Sequence, residues 1–442
     1  MSEIELKSNV IKTGREKGII LRFILASLVG VFMFFVPVTI NGASSIMIDH
    51  IVSWIRASVP GVVPYYALFV MAIGAIYPFY TKKWNASIVD VCFSILKVVG
   101  VVFGVLYCLK IGPAWFFAPD VGPFLYEKLV ISVSLLVPIG SAFLALLVGY
   151  GLLEFIGTFC RPIMRPLWNT PGRSAIDAVA SFVGSYSLAL LITNRVYKEG
   201  KYTTKEAAII ATGFSTVSAT FMIIIAKTLD IMHLWNVYFW TTLVVTFIVT
   251  AITVRIPPLS RKPDTYVTEE GFPEPVYKEK MLERAWEDAL EVSKSAPSIM
   301  KNITVNLKDG FIMTMGILPS IMSVGLIGIV LAKVTPIFDW ISYIFYPFTW
   351  LLQLPEADLA AKAASVGIAE MFLPSLLVVS APLVTKFVIA VVSVSSILFF
   401  SASIPCILST DIPLKVSELI ILYVQRTILT LLIITPIAYL LL

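Results

Sequence analysis

Long runs of apolar residues, broken by short polar stretches, form the dominant pattern along the chain. The first run covers residues 19–38 and the last covers residues 414–440. A helix needs about 20 apolar residues in succession to cross the hydrocarbon core of a bilayer. The pattern therefore predicts an all-α, polytopic membrane protein with about eight transmembrane helices. Lysines and arginines crowd the chain before the first run, which predicts a cytoplasmic N-terminus.

Two apolar segments differ from the others because they are rich in Ser, Ala and Gly. The first, at residues 171–194, has basic residues before and after its apolar stretch: Arg161, Arg165, Arg173, Arg195, Lys198, Lys201 and Lys205. A single crossing would leave one of these clusters outside the cell, against the positive-inside tendency. We therefore expect a re-entrant hairpin here, with a plain span as the alternative. We expect a second hairpin at residues 355–382.

The order of apolar, aromatic and small-residue segments occurs twice. Landmarks of the two copies are spaced by 181, 184 and 181 residues, namely Pro138 and Pro319, Pro171 and Pro355, and Asp230 and Asp411. The chain thus divides into N-terminal scaffold helices (1–127), a first repeat (128–256), a cytoplasmic linker with an amphipathic helix (257–306) and a second repeat (307–442). The first repeat enters the membrane from outside and the second from the cytoplasm. Such inverted repeats are a recurring plan of secondary transporters.

Composition supports membrane residence and argues against several other classes of protein. The mean hydropathy is +0.90 and only 14% of the residues are charged, whereas soluble proteins carry roughly a quarter. The net charge of +5 comes from short basic loops, so we expect no nucleic-acid partner. Four dispersed cysteines and two histidines give no metal-ligand spacing. The sequence has no P-loop, no HExxH and no nucleophile–base motif, so it indicates neither an ATPase nor an enzyme, and no resident cofactor.

Two stretches of the chain resemble the YjiH-type membrane proteins: PGRSAIDA from Pro171, and TNRVYKEGKYTTKEAAIIATGFSTVS from Thr193. That family carries a nucleoside-recognition, or gate, domain. More distantly, the order of elements is similar to that of the concentrative nucleoside transporters. This resemblance implies two re-entrant hairpins, two partly unwound helices, a trimeric scaffold and an elevator motion. Those transporters hold the nucleobase with Gln and Glu at the first hairpin tip, where this chain has SFVGSYS from Ser181.

These features predict a secondary active transporter in the bacterial cytoplasmic (inner) membrane. The solute is expected to be small and polar, that is nucleoside-like, amino-acid-like or related, and its movement to be coupled to Na⁺ or H⁺. Besides the lipid bilayer and the solute, the expected partners are further copies of the chain, as a dimer or trimer, or a paired membrane protein. The alternative function is a non-transporting gate-domain component that acts with a partner protein.

Small and polar residues at the hairpin tips are the candidates for holding the solute. Glycine lets the chain turn, and exposed amides and hydroxyls can bind a polar group. The candidate solute-binding residues are Ser181, Gly184, Ser185, Ser187 and Asn194 in the first repeat, and Ser365, Gly367, Glu370 and Ser396 in the second. The alternative is that the small residues only permit close helix packing and that Asn194 is a cap.

Hydroxyl residues concentrate in the helix that follows each hairpin. The candidate ion-binding residues are Thr212, Ser215, Thr216, Ser218 and, in the second repeat, Ser393. So many hydroxyls beside a glycine can let a helix unwind at mid-membrane and offer oxygen atoms to Na⁺. The alternative is that each hydroxyl bonds back to its own helix.

Charged residues inside apolar segments are costly unless they are paired or hydrated. Asp177 lies four residues after Arg173, and Asp358 lies four residues before Lys362, so each carboxylate is expected to form an ion pair on its own helix. Glu370 has no base nearby in the sequence. We therefore expect its carboxylate to face water or solute, where it can bind a cationic group or carry a proton.

Overall fold

Helices account for nearly all of the regular structure. A computed structural model describes residues 3–40, 42–82, 84–85, 88–119, 121–183, 186–217, 219–276 and 279–442. Across these residues the chain forms twenty α-helices. The strands in the same ranges, β1 (Pro37–Ile40) and β2 (Ala43–Ile46), pair as one short antiparallel hairpin. The predicted all-α fold class is confirmed.

The helices form an N-terminal group and two series of similar order, joined by one linker helix. The N-terminal helices are α1 (Glu3–Phe35), α2 (Met47–Ser58), α3 (Val63–Tyr80) and α4 (Ile88–Leu109). The first series is α5 (Ile131–Val148), α6 (Leu152–Trp168), α7 (Ala175–Val183), α8 (Tyr186–Lys198), α9 (Thr204–Gly213), α10 (Ala219–Thr228) and α11 (Trp235–Thr253). The linker helix is α12 (Met281–Ser295). The second series is α13 (Ile299–Val334), α14 (Ile337–Ser342), α15 (Tyr346–Leu351), α16 (Ala357–Val366), α17 (Leu373–Leu377), α18 (Leu383–Ser395), α19 (Ser403–Leu408) and α20 (Val416–Leu441).

Seven helices of the described residues are long and apolar enough to cross a membrane: α1, α3, α4, α5, α11, α13 and α20. They are distributed along the entire chain, so the protein is a multi-pass membrane protein. Two further apolar runs, at 204–228 and 383–408, are each split into two shorter helices. None of these shorter helices is long enough on its own to be counted among the seven.

Helix α13 packs tightly against α3, α4 and α5. A Cβ atom added at Gly74 of α3 would lie 1.8 Å from the carbonyl oxygen of Met315, and one added at Gly100 of α4 would lie 2.0 Å from that of Pro319. No side chain fits at these separations, so glycine is what permits the close approach of the backbones. We refer to α3, α4, α5 and α13 as the scaffold group.

Helices from both series form a second bundle, which we call the hairpin group: α7 to α11 and α16 to α20. Tyr238 of α11 donates a hydrogen bond to the carbonyl oxygen of Ala390 in α18 at 3.3 Å, which joins the two series. The hairpin group meets the scaffold group where α8 crosses α5. There a Cβ atom at Gly140 would lie 2.4 Å from Cδ2 of Leu188, so the two helices touch closely.

Two segments of the hairpin group fold back on themselves, so that the two ends of each segment lie together. Helices α7 and α8 lie side by side, and Thr193 near the end of α8 donates to Oδ1 of Asp177 near the start of α7 at 2.6 Å. Tyr202 donates to the other oxygen of Asp177 at 2.7 Å. In the second series, Thr385 donates to the carbonyl oxygen of Pro355 at 2.6 Å. Each segment is therefore closed at its base, which is the geometry of a hairpin.

The polar linker lies against the base of the first hairpin. Glu274 accepts hydrogen bonds from the backbone N–H groups of Gly172 at 2.8 Å and Arg173 at 3.0 Å. Burial raises the pKa of this carboxyl above its ordinary value, against the opposite effect of the two N–H donors. Farther along, Trp286 of α12 packs edge-on against Phe23 of α1, with ring centroids 5.4 Å apart. The linker thus connects the first hairpin to the N-terminal helix.

Candidate functional site

Both interrupted helices break where hydroxyl residues are concentrated. Helix α9 ends at Gly213 and α10 begins at Ala219, and α18 ends at Ser395 and α19 begins at Ser403. The prediction that the first of these helices unwinds is confirmed. In the second break Ile397 has a φ of +64°, which is rare for a β-branched residue and marks local strain.

Each hairpin is bonded to the break of its own series. Ser181, near the end of α7, donates to the carbonyl oxygen of Thr216 at 2.6 Å. In the second series, the backbone N–H of Phe400 donates to the carbonyl oxygen of Ile368 at 2.7 Å. The N–H of Ser401 likewise donates to the carbonyl oxygen of Ala369 at 2.9 Å. These bonds satisfy polar backbone groups that would otherwise be unpaired at membrane depth.

A cavity of 270 Å³ lies where the two hairpins and the two breaks come together. Its wall is formed by residues of α2, the turn before α5, the start of α5, both hairpins, both breaks and α10: Asp49, Lys128, Leu129, Ser132, Val133, Leu136, Tyr186, Ser187, Val217, Phe221, Ile224, Glu370, Met371 and Phe399. Lys128 is exposed, so it lies at the mouth of the cavity. The arrangement encloses a mainly apolar space with a few polar groups, as small-molecule sites usually do.

Two of the predicted solute-binding residues lie in this wall. Ser187 is 1% exposed and is the second residue of α8, directly after the hairpin tip. Glu370 is 2% exposed and lies between α16 and α17. Ser181 lies behind the wall, where it holds the first break through Thr216. Gly184 and Ser185 lie outside the described residues.

The remaining predicted solute-binding residues lie elsewhere in the hairpin group. Ser365 donates to the carbonyl oxygen of Phe338 at 2.8 Å, and Ser396 donates to that of Val392 at 2.7 Å. At Gly367 an added Cβ would lie 2.6 Å from the Tyr423 hydroxyl, so this glycine serves close packing. Asn194 lines a different cavity, where it accepts a hydrogen bond from the backbone N–H of Asp411 at 2.9 Å.

One carboxylate oxygen of Glu370 is held by the backbone. It accepts hydrogen bonds from the N–H groups of Phe372 at 2.6 Å and Leu373 at 3.0 Å. The side chain therefore caps the start of α17. Glu370 is both a local structural residue and part of the cavity wall.

Some of the predicted ion-binding hydroxyls bond back to their own helix, and others lie at the first break. Thr212 donates to Ala208 O at 2.7 Å and Ser393 donates to Ile389 O at 2.8 Å, so both bond back to their own helices. Thr216 Oγ1 lies 3.1 Å from Ser181 Oγ. Ser215 is buried, and its Oγ has no hydrogen-bond partner among the described residues. Ser218 lies outside the described residues.

The two ion pairs expected within single helices are absent from the described residues. Asp177 is paired with Thr193 and Tyr202 rather than with Arg173. Lys362 pairs with Asp339 of α14 at 2.5 Å rather than with Asp358. These pairing predictions are wrong because neighbouring elements reach the hairpin bases more closely than the next turn of the same helix does.

Three aromatic residues of the cavity wall were not predicted from the sequence. Tyr186 and Phe399 pack edge-to-face with ring centroids 5.7 Å apart, which joins the first hairpin tip to the second break. Phe221 packs edge-to-face on Phe372, at 6.0 Å, next to the second hairpin tip. Their positions beside the small-residue tips and the hydroxyl runs are the sequence signal that could have found them.

The chain is similar to known proteins over part or nearly all of its length. Residues 130–232 match the Gate family, described as nucleoside recognition. The chain is 34% identical to an uncharacterized protein from Alkalihalophilus pseudofirmus over 99% of this chain and 97% of that protein. Two solved structures of CNTnw variants in an outward-facing state are also similar. The first has a TM-score of 0.49 and 13% identity, and the match covers 95% of this chain and 99% of that one. The second has a TM-score of 0.46 and 12% identity, and the match covers 94% of this chain and 98% of that one.

The Gate match covers α5 to α10 and so contains the first hairpin, the first break and the α5 side of the cavity. It confirms the resemblance seen in the stretches from Pro171 and Thr193. The chain is thus a multi-pass membrane protein with a Gate domain, and it belongs to the same family as its full-length Alkalihalophilus relative.

Proposed function

We propose that the chain is a secondary active transporter that carries a small polar solute across the bacterial cytoplasmic membrane. The observation that supports this function is the cavity, whose wall combines both hairpins, both helix breaks and scaffold helix α5. Transporters built from repeated broken helices bind their solutes at such a position. The Gate match supports solute recognition by a transporter rather than catalysis by an enzyme.

The chemistry of the cavity wall favours a nucleoside-like solute over an amino acid. Tyr186, Phe221 and Phe399 offer aromatic faces and edges to a flat ring. Ser187 offers a hydroxyl and Glu370 a carboxylate, which can bond to sugar hydroxyls or to a ring amine. The description of the Gate family as nucleoside recognition points the same way.

A path for the solute follows the contact between α5 and α8. The first cavity is lined by Leu136 of α5 and Ser187 of α8. A second cavity of 180 Å³ is lined by Leu144 of α5 and by Asn194, Arg195 and Lys198 of α8. Between the two, Leu188 packs on Gly140 and closes the path. We propose that the hairpin group slides against the scaffold group, in an elevator motion, and opens the cavities alternately.

We propose that a cation gradient, of Na⁺ or H⁺, drives this movement. For Na⁺, suitable ligands are the oxygen atoms around the first break, those of Ser181, Ser215 and Thr216, because broken helices present hydroxyl and carbonyl oxygens to the ion. For H⁺, the buried carboxylate of Glu370 in the cavity wall is the candidate carrier. The working form is proposed to be a homo-oligomer, a dimer or trimer, whose copies meet through the scaffold group.

Solute binding to the purified chain tests the proposed function. We expect nucleosides to bind and amino acids not to bind. Ser187→Ala should weaken binding about 3- to 10-fold, since one hydrogen bond is worth roughly 1 kcal/mol. Ser365→Ala is the matched control, because that hydroxyl is equally buried but bonds to Phe338 O outside the cavity. Absence of nucleoside binding, or equal loss in the two variants, would contradict the proposal.

A further inference from the structure

Arg426 is a fully buried arginine near the middle of α20, and it is 1% exposed. Its Nε donates to the carbonyl oxygen of Ser395 at 2.9 Å, and its Nη1 donates to Oγ1 of Thr250 at 3.1 Å. Its Nη2 has no hydrogen-bond partner, and no carboxylate pairs with the guanidinium, in the part of the chain that the structure describes. An unpaired charge at this depth is costly, so its surroundings must compensate for it in another way.

The surroundings of Arg426 are the ends of two helices. Ser395 is the last residue of α18. Thr250, which accepts the second bond, donates to the carbonyl oxygen of Gly213, the last residue of α9, at 2.8 Å. Helices α9 and α18 are the first halves of the two interrupted helices. The guanidinium thus contacts the carbonyl end of α18 directly and that of α9 through the Thr250 hydroxyl.

The charge of the Arg426 guanidinium balances the partial charges of the two helix ends. A helix carries roughly −0.5 elementary charge at its C-terminal end, from carbonyl groups without intrahelical partners, so two converging ends amount to about −1. The guanidinium supplies one positive charge. In transporters with interrupted helices, such carbonyl ends are where Na⁺ is bound. Without a cation the two ends would repel each other in a medium that screens charge poorly.

Neighbouring hydroxyls hold α20 in register with α18. Ser395 Oγ lies 2.8 Å from Thr430 Oγ1, and Ser396 Oγ lies 3.1 Å from Thr427 Oγ1. These contacts occur on the same face of α20 as Arg426, so they fix the guanidinium at the helix ends. The position is therefore built by several contacts and does not depend on the arginine alone.

We propose that Arg426 is a built-in cation that takes the place of a bound monovalent metal ion between the carbonyl ends of α9 and α18. The positive charge, rather than the volume of the side chain, holds the two interrupted helices together. This role concerns the stability of the hairpin group and does not depend on which solute is carried.

Thermal unfolding of the purified full chain in detergent tests the proposal, with NaCl and KCl compared at equal ionic strength. Arg426→Lys keeps the charge and should unfold near the wild-type midpoint. Arg426→Met keeps most of the volume but not the charge, and its midpoint should fall by about 5 °C or more. Arg426→Ala leaves room for an ion, and NaCl should raise its midpoint more than KCl does, beyond any such difference in the wild type.

Arg255→Met is the matched control. Arg255 also donates to backbone carbonyls, those of Leu167 and Pro166, but it is exposed at the end of α11. The unfolding midpoint of Arg255→Met should be no higher in NaCl than in KCl. Equal midpoints for the Met and Lys variants of Arg426, or an Ala variant with no added response to Na⁺, would overturn the proposal. If the neutral variants do not fold, Arg426→Lys decides: wild-type behaviour supports the built-in cation, and loss of folding overturns it.

Discussion

Glu370 has two roles, one in the fold and one in the cavity. Its carboxylate caps α17 through the N–H groups of Phe372 and Leu373, and its side chain also lines the cavity. A carboxylate in this position is expensive to bury, and the two backbone donors offset part of that cost. A substitution that keeps the shape and one acceptor oxygen can therefore separate the two roles.

Glu370→Gln is such a substitution. The amide oxygen can still accept the two backbone hydrogen bonds, so we expect the variant to remain folded. Loss of the charge should abolish solute uptake or remove its dependence on pH between about 5.5 and 8. Uptake assays across this range give the answer, with the unfolding midpoint measured in parallel.

Glu418→Gln serves as the control for Glu370→Gln. Glu418 also caps a helix, accepting from the N–H of Lys415 at 2.8 Å, but it pairs with Lys262 away from the cavity. Its variant should leave the pH profile of uptake unchanged. Normal uptake by Glu370→Gln at every pH would assign that residue to a structural role alone.

Ser215 and Thr212 allow a similar comparison for the coupling ion. Ser215 Oγ is buried without a partner in the described residues, whereas Thr212 Oγ1 bonds back to Ala208 O. If oxygens at the first break bind the ion, Ser215→Ala should raise the cation concentration needed for half-maximal uptake by about 3-fold or more. Thr212→Ala should not change it. Identical ion activation curves for both variants and the wild type would favour packing as the role of Ser215.

The sequence contained enough to place some of these side chains but not others. Ser187 and Glu370 could be found because small and charged residues stand out in an apolar hairpin. Ser365 and Ser396 have the same appearance in sequence, yet each bonds to a carbonyl away from the cavity. Which way a hydroxyl faces depends on tertiary neighbours that a single sequence does not report. The same reason made the Arg173–Asp177 pairing wrong.

Helices and hairpins were more predictable than side chains. Small residues between two basic clusters predicted a segment that turns back, and α7 and α8 are closed by the Thr193–Asp177 bond. The break after Gly213 was predicted from its hydroxyls. The start of α9 at Thr204 also has a sequence signal, because Thr203 and Glu206 form a capping box with the pattern T-x-x-E.

Membrane sidedness of the first hairpin can be tested with single cysteines. If the hairpin enters and leaves on one side, Cys substituted at Arg165 and at Lys198 should both react with an impermeant reagent only from the cytoplasm. Both native side chains are accessible, at 36% and 46% exposure, so labelling is feasible. The background would carry serine at the four native cysteines, of which Cys92 is exposed.

A cysteine at Lys128, at the mouth of the first cavity, is the matched control and should react only from outside. Labelling of position 165 or 198 from outside would remove the re-entrant hairpin. It would also remove the inverted orientation of the two repeats, since that orientation was inferred from the basic clusters.

In the proposed alternating-access cycle, the two cavities on the α5–α8 contact belong to one state. Near the second cavity, Arg195 of α8 pairs with Asp309 of α13 at 3.2 Å, so this ion pair joins the hairpin group to the scaffold group. Any sliding of one group past the other must break it. Because both side chains are partly exposed, the pair contributes little stability and can open easily.

Asp309→Asn should therefore favour the state in which the second cavity opens. We expect a cysteine at Leu191, which lines that cavity, to react faster with a cytoplasmic reagent in this variant. The control is Glu199→Gln, since Glu199 also pairs with Arg195, at 2.8 Å, but lies within the same hairpin group. Equal labelling rates in the two variants would indicate that the Arg195–Asp309 pair does not restrain the movement.

Uptake by the isolated chain decides whether it is a transporter. Proteoliposomes that contain only this protein would be given a labelled nucleoside, with an inward Na⁺ or H⁺ gradient imposed in separate experiments. We predict saturable accumulation that requires one of the two gradients and is lost in protein-free liposomes. Nucleoside binding without any uptake under either gradient would contradict transport by this chain alone, and would favour a gate-domain component that needs a partner protein.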